Sequence, residues 1–461
     1  MSRIIPKKIH KYMFRGPLWP VTLALSFPMF ISQLLQFFYS IVDTFFIAQI
    51  DKSSTALLSG PGLVFPLFFL ALALGFCIST GVSAVVARGI GEKNEEIISN
   101  AADSGLLLAL IISGGAVVLG YLYGGSFIKL LAGEKMSQEA IKYSLEYFYY
   151  LVPGLGLIIL GHLFFGVLQG EGLVNKLAKA LLISTLINLI LDPIFIFWLN
   201  MGVKGAALAT TVSILASSVY ILQLFLLGKT EVPIHWNLFR AKAKLIGEIL
   251  RIGVPQLLSI LSLSLAFMFL NKLASSISQE AMNAWTICGR IDHILLLPAF
   301  AVSGATVAMV GQNYGKGNLK RVRQINLFNI LVTLGAVFFL VIIYNLSAPF
   351  LFQIFSSVTE VINLCIIQVH WLSLGYIGVS GSIIIATTFQ ATGRSIPSFI
   401  IVFVRVGIIG VPLAYLMVNT FGLGIKGIFT ALLIGRISSF LFAWIWVIIY
   451  LRHLKFTKAL Q

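Results

Sequence analysis

One stretch of the chain collects the residue types that bind small hard cations: Ser184-Thr185-Leu186-Ile187-Asn188-Leu189-Ile190-Leu191-Asp192-Pro193. At helical spacing Ser184, Asn188 and Asp192 fall at i, i+4 and i+8, on one face. Pro193 has no N–H, so the carbonyl of Leu189 loses its usual helical donor and can bind something else. A carboxylate, an amide oxygen and a released carbonyl form a set of oxygen ligands suited to sodium, or a carboxylate suited to a proton. The competing reading is a polar helix end that reaches water. Because the stretch lies inside a long apolar run, where ionisable groups are costly and tend to be functional, the ligand reading is the stronger.

A second polar set lies near the N-terminus. Gln33, Gln36, Ser40 and Asp43 step by 3, 4 and 3, which makes a stripe along one helix. In lipid such a stripe must face a cavity or a partner helix. Interhelical glue would explain the amides and the hydroxyl, but glue rarely needs a charge, and Asp43 favours function. His162, alone in its apolar segment, is either a proton-responsive group or a hydrogen-bonded packing residue.

The elements that must hold these residues are membrane helices. The 461-residue chain is 58% hydrophobic and 10% charged, with 36 Phe, and apolar runs long enough to cross a bilayer recur from end to end. Continuous rather than alternating runs exclude a transmembrane barrel. The expected fold is an all-α polytopic membrane protein with twelve transmembrane helices in two pseudo-symmetric six-helix lobes.

A net charge of +16 could suggest nucleic acid, but its distribution does not. Most of the Lys and Arg residues fall in one alternate set of loops. The opposite set holds only Lys52, Lys129, Lys135, Lys142, Lys204, Lys272 and Lys426. That asymmetry places both termini in the cytoplasm and predicts no nucleic-acid partner. The basic N-terminus leads into a full span, so no cleavable signal is expected. Cys77, Cys288 and Cys365 have no metal-like spacing and read as core residues.

The expected organisation is a cytoplasmic segment at 1–17, an N-terminal lobe at 18–228, a cytoplasmic linker at 229–246, a C-terminal lobe at 247–451 and a cytoplasmic tail at 452–461. Within the first lobe, Arg88–Glu96 reads as a short basic loop and Lys129–Tyr143 as an interfacial helix. Three internal matches support a duplication. The Gln169-Gly170-Glu171-Gly172 turn matches Gln390-Ala391-Thr392-Gly393. Gly202-Val203-Lys204-Gly205 matches Gly424-Ile425-Lys426-Gly427, and the stretch 87–94 matches 311–318. All three are offset by about 220 residues, and six spans per half give both halves one orientation, which is a transporter plan.

The second half lacks the corresponding acids: Gly410-Val411-Pro412 stands where the first half has Leu191-Asp192-Pro193. An ion site confined to the first half follows. Arg290, Asp292 and His293 read as a local salt-bridged cluster in preference to a substrate surface. Gly311–Gly317 has the wrong spacing for a phosphate loop and no Ser or Thr after its Lys. With no HExxH, no CxxC and no hydrolase triad, an enzyme is not expected.

These motifs together resemble the multidrug and toxic compound extrusion (MATE) family, over essentially the whole chain. The residues that carry the resemblance are Pro28…Gln33…Val42-Asp43-Thr44, the Gln169-Gly-Glu-Gly turn, Asn188-x-x-x-Asp192-Pro193, and the segment from Gly202 to Thr210. The resemblance implies twelve helices in two lobes around a V-shaped central cavity. It also implies export of organic, often cationic and amphiphilic, compounds in exchange for protons or sodium by alternating access. Within the family, the sequence is similar to the DNA-damage-inducible and archaeal-like branch, whose coupling site lies in the N-terminal lobe.

On that resemblance Asp43, Asn188, Asp192 and Thr210 form the cation or proton site, and would be the metal ligands if the ion is sodium. Gln36, Ser40, Ser184 and His162 are supporting candidates, and His162 stands where related proteins often have Asn. No cofactor beyond the coupling ion is implied. The expected partners are a small organic substrate and the bilayer. A monomer in the plasma (inner) membrane of a prokaryote is expected. The alternative is a flippase for lipid-linked or phospholipid substrates, which would favour a basic cavity. Arg290 and Arg405 are the evident candidates, and neither shows a basic cluster beside it in sequence. A receptor has no sensing domain to support it.

Overall fold

In the computed structural model, the structure describes residues 12–50, 62–132 and 137–454. Twelve helices among them are long and apolar enough to cross a membrane. They are α1 Trp19–Ile50, α2 Phe65–Glu92, α3 Glu95–Leu131, α4 Gln138–Glu171, α5 Val174–Trp198 and α6 Val203–Leu226. The second set is α7 Ala243–Ile277, α8 Gln279–Gly315, α9 Leu319–Leu351, α10 Thr359–Ala391, α11 Ile396–Asn419 and α12 Gly424–His453. The described residues contain no strand.

Two compact units result. Among the described residues, the first holds 27–253 and the second holds 12–26 with 254–454. The division falls inside helices and not in the expected linker. α1 changes unit between Ser26 and Phe27, and α7 between Gly253 and Val254. Each helix carries a proline just past the change, Pro28 and Pro255. In each, a serine one turn later donates to that proline's carbonyl, Ser32 at 2.9 Å and Ser259 at 2.8 Å. Proline removes one rung of the hydrogen-bond ladder, so these are the points where each helix bends most easily.

The linker belongs to the first unit because carboxylates of that unit satisfy its backbone. Glu171 accepts from the N–H groups of Glu231 and Val232 at 3.0 and 2.9 Å. Asp103, fully buried, accepts from the His235 N–H at 3.0 Å and from its Nδ1 at 2.8 Å. Two other local expectations change. Arg88 lies within α2, buried, with its guanidinium 2.8 Å from Glu248, so it is part of a helix seam and not of a loop. α3 continues to Leu131 and α4 begins at Gln138, so Lys129–Tyr143 is the end of one span and the start of the next, with 133–136 outside the described residues.

The backbone repeats as the sequence does. Gly172 (φ 82°) and Gly393 (φ 83°) both end a helix in the left-handed region. The N–H of the next residue then returns to the carbonyl five back, at 2.8 Å in Leu173 and 2.9 Å in Arg394. Lys93 (φ 54°) pairs in the same way with Gly317 (φ 75°), and the following Asn94 and Asn318 each cap the next helix. A Cβ in this conformation costs about 1–2 kcal/mol. Gly393→Ala should therefore lower the melting temperature of the detergent-solubilised protein. Lys93→Gly, which removes a strain already present, should not; equal losses in both would show that the shared turn does not set the cost.

Candidate functional site

α5 is regular from Val174 to Pro193 and then widens into a π-helical turn over Ile194–Trp198, closed by Leu199 N–H to the Ile194 carbonyl at 2.9 Å. Pro193 accounts for the change, since it supplies no N–H to Leu189 and the ladder resumes at wider spacing beyond it. α6 is drawn against this turn through Gly205, where a Cβ would stand 2.7 Å from the Phe195 carbonyl.

Immediately before the turn, Asn188 and Asp192 are both buried, Asp192 completely. Asn188 Nδ2 donates to Asp192 Oδ1 at 2.9 Å. Because the amide nitrogen is turned to the carboxylate, the amide oxygen is directed elsewhere and keeps its acceptor capacity. One turn earlier on the same face, Ser184 reaches Ser213 of α6 at 3.5 Å, and Ser213 donates to the Thr210 carbonyl at 2.8 Å. Thr210 spends its own hydroxyl proton on the Ala206 carbonyl at 3.1 Å, so its lone pairs remain for a ligand. The structure thus joins Asn188 to Asp192 directly, and Ser184 to the Thr210 turn through Ser213.

The N-terminal stripe is only partly described. Gln36 is exposed, while the side chains of Ser40 and Asp43 lie outside the described residues. The register of α1 is nonetheless set from both sides. Ser32, on the same helical face as Gln36 and Ser40, donates to the Ala178 carbonyl of α5 at 3.0 Å. Phe46 meets Phe197 with ring centroids 6.3 Å apart. Backbone position 43 falls between these contacts, one turn below Phe46, as Asp192 falls between Ala178 and Phe197 on α5.

His162 is held by packing. Its Nδ1 lies 2.7 Å from the Ile158 carbonyl, its ring makes an edge contact with Phe76 at 5.0 Å, and it fills the space over Gly75 of α2. Since a carbonyl can only accept, Nδ1 carries the proton.

In the second unit the expected salt bridge at Arg290, Asp292 and His293 is not formed. Arg290 and His293 are exposed, whereas Asp292 is buried and turned inward. Its carboxylate accepts from Tyr344 Oη at 2.9 Å, Tyr376 Oη at 2.7 Å and Gln368 Nε2 at 3.3 Å. The Arg436 guanidinium lies 3.8 Å above the Tyr376 ring and donates to the Leu372 carbonyl at 3.1 Å. These partners come from α9, α10 and α12, so the residues next to Asp292 in sequence gave no sign of them. α11 also contains a π-helical stretch, Val404–Gly410, which carries Arg405. Contrary to the sequence expectation, Arg405 has a second basic residue close by. α12 touches its backbone at Gly435, where a Cβ would stand 2.7 Å from the Arg405 carbonyl, next to Arg436.

Comparison with known proteins agrees with this architecture. The MatE family model matches residues 28–194 and 255–416, the two repeats starting at Pro28 and Pro255. The chain is 26% identical to a FAD transporter of Shewanella oneidensis, over 91% of this chain and 92% of that protein. It is also 26% identical to a probable multidrug resistance protein, NorM, of Thermotoga maritima, over 91% and 89% of the two chains. An outward-facing MATE transporter superposes with a TM-score of 0.91 at 27% identity, covering 97% of this chain and 98% of that one. A Pyrococcus furiosus transporter described as having a binding pocket of reverse polarity superposes with a TM-score of 0.90, also at 27% identity, covering 96% and 98%. With both halves matched by one family model and the whole fold shared with its solved members, the chain belongs to the MATE family of integral membrane transporters and is not an enzyme.

Proposed function

We propose that the chain is a secondary multidrug efflux antiporter. It exports organic compounds, often cationic and amphiphilic, in exchange for protons or sodium bound at Asp192, Asn188, Thr210 and Asp43. The supporting observation is the fully buried Asp192, held by Asn188 beside a proline and a π-turn. A carboxylate at that depth is costly when ionised and bare, so it draws a proton or a cation with oxygen ligands. The family resemblance assigns Asp43 to the same site, and two like charges sharing a low-dielectric site repel until one is neutralised.

Loading and unloading of this site would then bias alternating access. The helices that change unit, α1 and α7, have their weakened rungs at Pro28 and Pro255. α1 also runs beside α5 through the Ser32 and Phe46 contacts. Neutralising Asp192 removes the cost of a bare buried charge on α5, the helix beside α1, and favours a different bend. The relatives named multidrug resistance and multidrug export proteins support the substrate class, and the alternating Lys/Arg bias supports an orientation with both termini cytoplasmic.

Flux of ethidium out of proteoliposomes under an imposed proton gradient, and separately under a sodium gradient, tests the reading. Flux driven by one of the two identifies the ion. Equal flux with no gradient would mean uncoupled passage and overturn the antiport assignment.

A further inference from the structure

The second unit carries an excess of positive charge inside its spans. Well away from the helix ends are Arg290 on α8, Arg405 on α11 and Arg436 on α12, against one acid, Asp292. The first unit shows the opposite sign at comparable positions, Asp43 and Asp192. Arginine within a bilayer is expensive and is ordinarily paired or set toward a water-filled path.

The pairing can be followed residue by residue. Arg436 is the cation electrostatically linked to Asp292, and it is further used by the Tyr376 ring and the Leu372 carbonyl. Arg405 is different. Among the described residues no carboxylate lies within 4.0 Å of its guanidinium, and it donates no hydrogen bond. Its electrostatic neighbours are Arg436, which repels it, and the hydroxyl-bearing Tyr376. It is half-buried and stands on the π-helical stretch of α11, pressed against α12 by Gly435. A planar guanidinium with all five donors unspent, on a helix whose backbone touches α12 beside Arg436, matches a phosphate or carboxylate.

We propose that Arg405, with Arg436 beside it, binds the phosphate or carboxylate group of an organic anion, so that the compounds this transporter carries include anions as well as cations. The inference rests on the transport reading above and specifies its substrate class. The anion supplies the counter-charge that the protein leaves out.

The test uses two probes with one fluorophore, riboflavin and its 5′-phosphate, flavin mononucleotide, titrated against the full chain in phosphatidylcholine nanodiscs. Wild type is expected to bind the phosphorylated probe at least about ten-fold more tightly, the effect of one charge-assisted hydrogen-bonded pair. Arg405→Gln should erase that preference while leaving riboflavin binding unchanged, and Arg405→Lys should keep part of it. Equal affinities in wild type, which needs no variant, would overturn the proposal. So would a preference that survives Arg405→Gln in monodisperse protein. Nanodiscs containing phosphatidylglycerol separate the two sources of phosphate. A preference that persists there supports a soluble substrate, and one abolished there gives the arginine to a lipid headgroup and overturns the substrate assignment. Binding at equilibrium needs no ion gradient, so a failure of coupled efflux would be read separately.

Discussion

Replacing Asp192 with Asn should abolish gradient-driven efflux, with a loss of at least about a hundred-fold in initial rate, while the protein remains folded and inserted. The substitution keeps the shape of the side chain and its ability to accept from Asn188 Nδ2, now held at 2.9 Å, but removes the carboxylate proposed to exchange a proton or hold a cation. Packing is thus preserved and coupling is lost. Asn188→Ala should give a smaller loss, about ten-fold, since it takes away an oriented amide oxygen and leaves the carboxylate. Full efflux in Asp192→Asn, measured in the same proteoliposomes, would remove the residue from the coupling site.

The second large effect is expected at a seam within the first unit. α2 and the beginning of α7 meet backbone to backbone. A Cβ at Gly81 would overlap the Ile249 carbonyl, and one at Gly253 would overlap the Cys77 carbonyl. The contacts are reciprocal: 77 and 81 on one helix oppose 249 and 253 on the other. This is the small-residue packing that lets membrane helices approach closely. The buried Arg88–Glu248 ion pair lies on the same two helices, at 2.8 Å.

Because the nearest obstruction at each glycine is backbone and not a mobile side chain, the seam cannot yield locally. Gly81→Val or Gly253→Val should cost on the order of 3 kcal/mol or more and remove the monodisperse peak in size-exclusion chromatography. Gly247→Val is the control, since a Cβ there meets nothing within 4 Å. Equal loss in all three would mean that helix propensity rather than packing sets the cost.

Much of the molecule was legible in the residue pattern because membrane helices write their length and hydropathy directly into sequence. Asn188 and Asp192 could be paired from spacing alone, since i and i+4 on one helix must meet. The repeat was legible for a related reason: its turns need left-handed residues, and Gly172, Gly393 and Gly317 mark them. Contacts between distant segments were not legible. Nothing in the stretch around Asp292 reveals that Tyr344, Gln368 and Tyr376 supply its hydrogen bonds, so a neighbour in sequence, Arg290, was expected to serve. The assignment of residues 229–242 to the first unit depends on Glu171 and Asp103, acids that sequence alone leaves as ordinary helix-end charges. Likewise the division of α1 and α7 between units leaves only a proline as its trace.

The central claim is that substrate and ion compete through the carboxylate at Asp192, and linkage gives it a direct measurement. Purified protein in weakly buffered detergent is titrated with tetraphenylphosphonium while released protons are followed by a pH-sensitive dye, with and without sodium. If the ion and the substrate are antagonistic, binding of the organic cation to wild type must displace a proton or lower the affinity for sodium, and the effect must be reciprocal. The expected result is release in wild type and none in Asp192→Asn. Binding without release and without sodium dependence, or equal release in the variant, would contradict the account.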